Sequence, residues 1–163
     1  MKVQIREGVF ETNSSSTHSI TICTDGALMG KAPTDFDNRI TATGRYFSAG
    51  PYIYRDFKDK LGYLIAIIFR ECRTMEQAVA KKTDYRYQML EKVVRDHTGS
   101  DLNVMPDPCL GPIFGDVHDE DASRQLFEDE NKLSAFLFNP QSYMKTMPLG
   151  WGEEWPDLPD LEA

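Results

Sequence analysis

Residues 9–19 read Val-Phe-Glu-Thr-Asn-Ser-Ser-Ser-Thr-His-Ser, and no other stretch of the chain gathers so many small hydrogen-bonding side chains around a histidine. Hydroxyls and backbone N–H groups in a segment of small residues can wrap an anion if a cation stands near, and Arg6, Arg39 or Arg45 can supply it. The predicted ligand or partner site is therefore Arg6 with Thr12, Asn13, Ser14, Ser15, Ser16, Thr17 and His18. The plainer alternative is that Asn13 and the serines bond their own backbone and only shape a turn. Hydrolytic chemistry has a narrower opening. Neighbouring residues of a strand face opposite ways, so His18 cannot activate Ser19; Ser16, two positions back, can share its face, and Glu11 would have to orient the imidazole. A lone histidine on an apolar strand face is more often a hydrogen-bonded core residue. The sequence lacks a Gly-rich P-loop and a GxSxG elbow. No catalytic residue and no cofactor are assigned.

Asp116-Val-His118-Asp119-Glu120-Asp121 packs five oxygen or nitrogen ligands into six residues. The spacing is not the glycine-containing loop of an EF-hand, and zinc would want more His or Cys. Acids just before a helix are also expected from its dipole, so no metal site is assigned.

The ends of the chain differ in charge. Residues 1–100 carry 15 Lys and Arg against 12 Asp and Glu, a net of +3, whereas residues 101–163 carry 3 against 14, a net of -11. After Lys145 there is no basic residue, and the chain closes on Trp151, Glu153, Glu154, Trp155, Asp157 and Asp160 interspersed with prolines. That composition is read as a partner-binding tail, 146–163, attached to one domain, 1–145. Arg70, Arg73, Lys81, Lys82, Arg86, Lys92 and Arg95 make the middle of the chain basic, with tyrosines nearby that can stack on bases. The net charge of -8 opposes nucleic acid at long range, and argues for a protein partner with a basic surface.

These groups need a scaffold, and local patterning supplies most of one. Lys2–Arg6 and Ser19–Thr24 alternate as strands do, with His18 on the parity of Ile20 and Ile22; the polar run is the connection between them or the irregular start of the second. A further strand is placed within Arg39–Phe47. Pro51 opens the first helix, whose Ile53, Phe57, Leu61, Leu64, Ile65, Ile68 and Cys72 recur every three or four residues. Thr74 and Gln77 have capping-box spacing and start a second helix running to Gly99, with a break near Thr83. Residues 99–118, rich in Pro and Gly, read as a surface loop. Asp121 or Ser123 caps a third helix carrying Leu126, Phe127, Leu133, Phe136 and Leu137, stopped at Asn139-Pro140. The fold class expected is α+β: a small antiparallel sheet with about three covering helices.

At 163 residues one domain is the natural size. The opening residues lack the apolar core of a signal peptide, and the longest apolar run, Leu64–Phe69, is far too short to span a bilayer. Cys23, Cys72 and Cys109 are odd in number and outside any CxxC pair, which suits reduced thiols in a cytoplasm, with no membrane association.

The string Val9–Ser19, following the short basic strand Lys2–Gly8, resembles the opening of a group of small proteins encoded by bacteriophages and prophages. A second echo is Leu133-Ser-Ala-Phe-Leu-Phe-Asn-Pro-Gln-Ser-Tyr143. The resemblance implies a phage origin and a host-cell cytoplasmic setting, and it transfers no catalytic residue. The function expected is that of a phage-encoded accessory protein that binds a host or phage macromolecule, such as a host defence factor it inhibits. The alternative is an enzyme acting on a nucleotide or phosphorylated ligand held by Thr12–His18.

Overall fold

The structure, a computed structural model, describes residues 2–6, 16–25, 34, 38–44, 52–105 and 124–148. Along them run strands β1 (Lys2–Arg6), β2 (Ser16–Cys23), β3 (Arg39–Thr43) and β4 (Tyr52–Tyr54), then helices α1 (Phe57–Ile68), α2 (Met75–Lys81) and α3 (Tyr85–Thr98). Strand β5 (Asp101–Met105), a 3-10 turn at Gln125–Glu128, helix α4 (Glu130–Phe138) and strand β6 (Tyr143–Pro148) complete the order. The fold is α+β. One sheet is antiparallel, ordered β1-β2-β6-β4, and β3 and β5 form a second, parallel pair.

The alternation read in the two N-terminal strands sets the register. Val3 pairs with Ile22 and Ile5 with Ile20, and Ile20 faces Met144 across the β2–β6 ladder. Ile20, Ile22 and Met144 are fully buried, because side chains of one parity share a face and that face lies against the helices. Ser16, Thr17 and His18 belong to β2, so the last part of the polar run is strand.

Helix α1 is central. Every residue from Tyr63 to Phe69 is at most 1% exposed, as expected where apolar residues surround a helix on all sides. Its start corrects the sequence reading: Pro51 does not open it. Tyr52-Ile53-Tyr54 pairs with β6, and Asp56 takes the N-cap position. Aromatic and β-branched residues fit a pleated surface, and a partner strand some ninety residues downstream overrides local helical spacing. The helix also stops at Ile68, short of Cys72.

Thr74 and Gln77 do form a capping box, each side chain accepting from or bonding to the other's backbone. The second predicted helix breaks at Lys82–Asp84 into α2 and α3, and Asp84 caps α3 by accepting from the Arg86 N–H. Gly99 ends α3 at φ +71°, its N–H donating to the Arg95 carbonyl. An added Cβ there would meet nothing within 4 Å, so Gly99→Ala isolates the backbone term. We expect a loss of about 1 kcal/mol in urea unfolding, since only glycine adopts that conformation without strain.

Two more strands depart from the sequence expectation. Asp101–Met105, within the stretch expected to be a surface loop, pairs in parallel with β3 across three intervening helices. Tyr143–Pro148 lies between β2 and β4, so the sheet runs past residue 146, where the tail was expected to begin. Helix α4 is capped by Asp129, which accepts from the Asn131 N–H; the predicted caps Asp121 and Ser123 lie outside the described residues. The apolar stripe Leu126, Phe127, Leu133, Phe136 and Leu137 is buried throughout, but the one helix expected to carry it is broken at Asp129, whose extended backbone leaves Leu126 and Phe127 on the 3-10 turn and the rest on α4.

Candidate functional site

The antiparallel sheet brings two sequence features to one end. Ser16, the first residue of β2, is the register partner of Pro148, the last of β6. Thr17 pairs with Met147, and His18 with Thr146, which in turn pairs with Tyr52. The next row is Arg6, Ser19, Lys145 and Ile53. Partnered Cα atoms of an antiparallel ladder stand about 4.5 to 5.5 Å apart. The chain entering β2 and the chain leaving β6 are thus neighbours. Arg6, Ser16, Thr17 and His18 gather within four rows at this end, where Tyr52 is half exposed. Glu11, Thr12, Asn13, Ser14, Ser15, Arg45, the Asp116–Asp121 run, Cys109, Trp151, Glu153, Glu154, Trp155, Asp157 and Asp160 lie outside the described residues.

At the opposite end of this ladder, where β2 finishes at Cys23 and β6 begins at Tyr143, is a buried polar knot that the sequence reading missed. Lys60, in the first turn of α1, is 1% exposed, and its Nζ donates to the carbonyls of Asn139 (3.0 Å) and Ser142 (3.2 Å). Helix α4 has no basic residue in its own last turn; Lys60 supplies from another helix the cation its C-terminal dipole favours. Asn139 in turn donates through Nδ2 to the carbonyls of Cys23 (2.7 Å) and Asp25 (2.9 Å) and accepts from the Gln141 N–H. The Cys23 N–H donates to Ser142 Oγ at 2.9 Å. Burial pulls the Lys60 ammonium down to about 8, Asp56 opposing and Arg55 assisting. The signal available in sequence was the Asn139-Pro-Gln-Ser142 string, whose residues clamp the end of β2 to α4.

Across the helices, cations meet carboxylates. Arg86 grips Asp84 with two nitrogens at 3.1 and 3.0 Å and holds its carboxyl below the usual range. Lys92 bridges Asp96 and Glu130, and Arg95 meets Glu91 and Asp101. Phosphates would have to displace these partners. Among the described residues, three or more His, Cys, Asp and Glu side chains never come close enough to share a metal ion, and no helix is long and apolar enough to cross a membrane. A cavity of about 280 Å³ between β3 and α1 has Lys58 as its one charged lining residue among those described.

No family model, no curated protein and no solved structure matches this chain. Geometry and charge therefore carry the functional argument. Cys23 and Cys72 are both buried and free, and burial pushes the Cys72 thiol up, which suits packing more than nucleophilic work.

Proposed function

We propose that this is a bacteriophage-derived accessory protein, acting in the host cytoplasm by binding a host or phage macromolecule with a basic surface, such as a host defence factor it inhibits. The observation that carries the reading is the Ser16–Pro148 register pair. It roots the hydroxyl-rich run ending at Ser15 beside the acidic, tryptophan-bearing segment that follows Pro148. A surface built from both has hydrogen-bonding groups for specificity and negative charge for steering. The charge distribution supports it too, since the helical cations Arg86, Lys92 and Arg95 are already matched by carboxylates.

The test needs a captured partner and its association rate. Neutralising Glu153, Glu154, Asp157 and Asp160 together is expected to slow association several-fold at low salt and to flatten its salt dependence, because steering acts on the encounter. Substituting Ser14, Ser15, Ser16 and His18 is expected to shorten the lifetime of the complex while the protein stays folded. An association rate indifferent to both salt and the four neutralisations would refute the reading.

A further inference from the structure

Strand β3 and the first half of α1 do not pack flush, and the cavity of about 280 Å³ between them has two kinds of wall. Its floor is Ile40, Ala42, Phe57 and Leu61, each at most 7% exposed. Lys58 and Thr41, which are exposed, and Thr43, which is half-buried, line it where it meets water. Protein interiors leave few voids larger than a water molecule, and an apolar space of roughly 150 Å³ already admits benzene. This one has room for a ring or a short chain with a polar group attached.

Two residues keep that space open and charged. Ala42 is a buried strand residue on the parity of Ile40, a position where a β-branched side chain is favoured in a strand and would take up room that alanine leaves to the cavity. Lys58 is the cavity's one charged lining residue among those described. Arg86, Lys92 and Arg95 are matched by carboxylates, whereas the Lys58 ammonium has no ion pair or hydrogen bond among the described residues. Asp56 and Asp59, its neighbours in sequence, do not line the cavity. The Thr43 hydroxyl is likewise unengaged among the described residues, while Thr41 accepts from Asn103 Nδ2 of β5 at 3.4 Å.

We infer that the cavity between β3 and α1 binds a small molecule with an apolar body and one carboxylate. The body lies against Ile40, Ala42, Phe57 and Leu61, and the carboxylate meets the Lys58 ammonium and the Thr43 hydroxyl at the rim, a charge-assisted arrangement for a group that only accepts hydrogen bonds. A phosphate monoester carries about two negative charges at neutral pH, more than one ammonium matches, and an amine would be repelled. This site does not depend on the proposed partner surface.

The full chain is to be titrated with hydrocinnamate and, separately, with its uncharged primary amide at low ionic strength, while amide chemical shifts are followed. Saturable shifts confined to residues 40–43 and 57–61 are expected, with the acid bound about five-fold or more tightly than the amide. Lys58→Gln should erase that preference and leave the weaker binding of the amide as it was, while Lys82→Gln, at an exposed lysine between α2 and α3, changes neither. Ala42→Leu, which fills the space, should abolish binding of both probes and hold or raise the thermal midpoint, as cavity filling does. Shifts that never saturate or that spread beyond the two segments, equal binding of acid and amide, or binding intact in Ala42→Leu would overturn the inference. Should Ala42→Leu fail to fold, the comparison of acid with amide in the parent protein and in Lys58→Gln decides it.

Discussion

Replacing Asn139 by alanine is expected to lower the free energy of unfolding by roughly 3 to 4 kcal/mol. The amide makes three hydrogen bonds: two donated to the carbonyls of Cys23 and Asp25 and one accepted from the Gln141 N–H. Asn139 is 1% exposed, so water cannot replace those partners, and the Cys23 carbonyl at the end of β2 loses its shortest bond. Removing one partner of a buried pair carries the desolvation penalty of the group left behind, which exceeds the net worth of the bond itself. Ser142→Ala, which takes away the acceptor of the Cys23 N–H, is expected to lose about 1 to 2 kcal/mol by the same reasoning. Guanidinium denaturation of the variants decides the matter. A loss below about 1 kcal/mol for Asn139→Ala would mean that the Asn139–Ser142 string is not what fastens β2 to α4.

The second large effect is a rise of stability with pH. Lys60 titrates near 8 in the folded protein against 10.5 for a free lysine, because burial disfavours the charged form more than Asp56 restores it. Between these values the unfolded chain binds more protons than the folded one, so stability increases with pH across this window. Below pH 8 the charged amine is a full penalty, and by pH 10.5 it is relieved. The difference between the two pKa values corresponds to about 3 kcal/mol over the whole interval. Two N–H groups suffice for the carbonyls of Asn139 and Ser142, so the neutral amine keeps both bonds. The Cys72 thiol and the Tyr87 hydroxyl are both raised by burial, and each takes stability away once pH passes its unfolded value. Comparison with Lys60→Met separates these contributions: the rise should be present in the parent protein and missing in the variant. A parent profile that falls steadily from pH 8 and runs parallel to the variant's would show that the ammonium is not held at a cost.

The knot also shows why some of the molecule could be read in advance and some not. Strand alternation at Val3, Ile5, Ile20 and Ile22, the Thr74–Gln77 box, the Gly99 stop and the buried stripe of α4 all depend on residues within a few positions of one another. Each of those features stands where the sequence puts it. Tyr52–Tyr54, Asp101–Met105 and Tyr143–Pro148 are strands because of distant partners. Three to six residues of mixed character have no periodicity strong enough to outweigh a neighbouring proline or a helical spacing. The candidate site divides the same way. The Thr12–His18 run and the acidic C-terminal residues stand out by composition alone, but their common root at Ser16 and Pro148 is a property of the ladder.

The sequence by itself determined the α+β class, the Thr74–Gln77 cap, the helix stops at Gly99 and Asn139, and the separation of charge between the two ends of the chain, since propensity, capping and net charge are local or additive. Only the tertiary structure decided that β6 is an inner strand and that Lys60 caps a helix other than its own. Those outcomes come from pairing and packing between segments far apart in the chain. Their energies depend on which groups are taken out of water together, and no window of neighbouring residues contains that information.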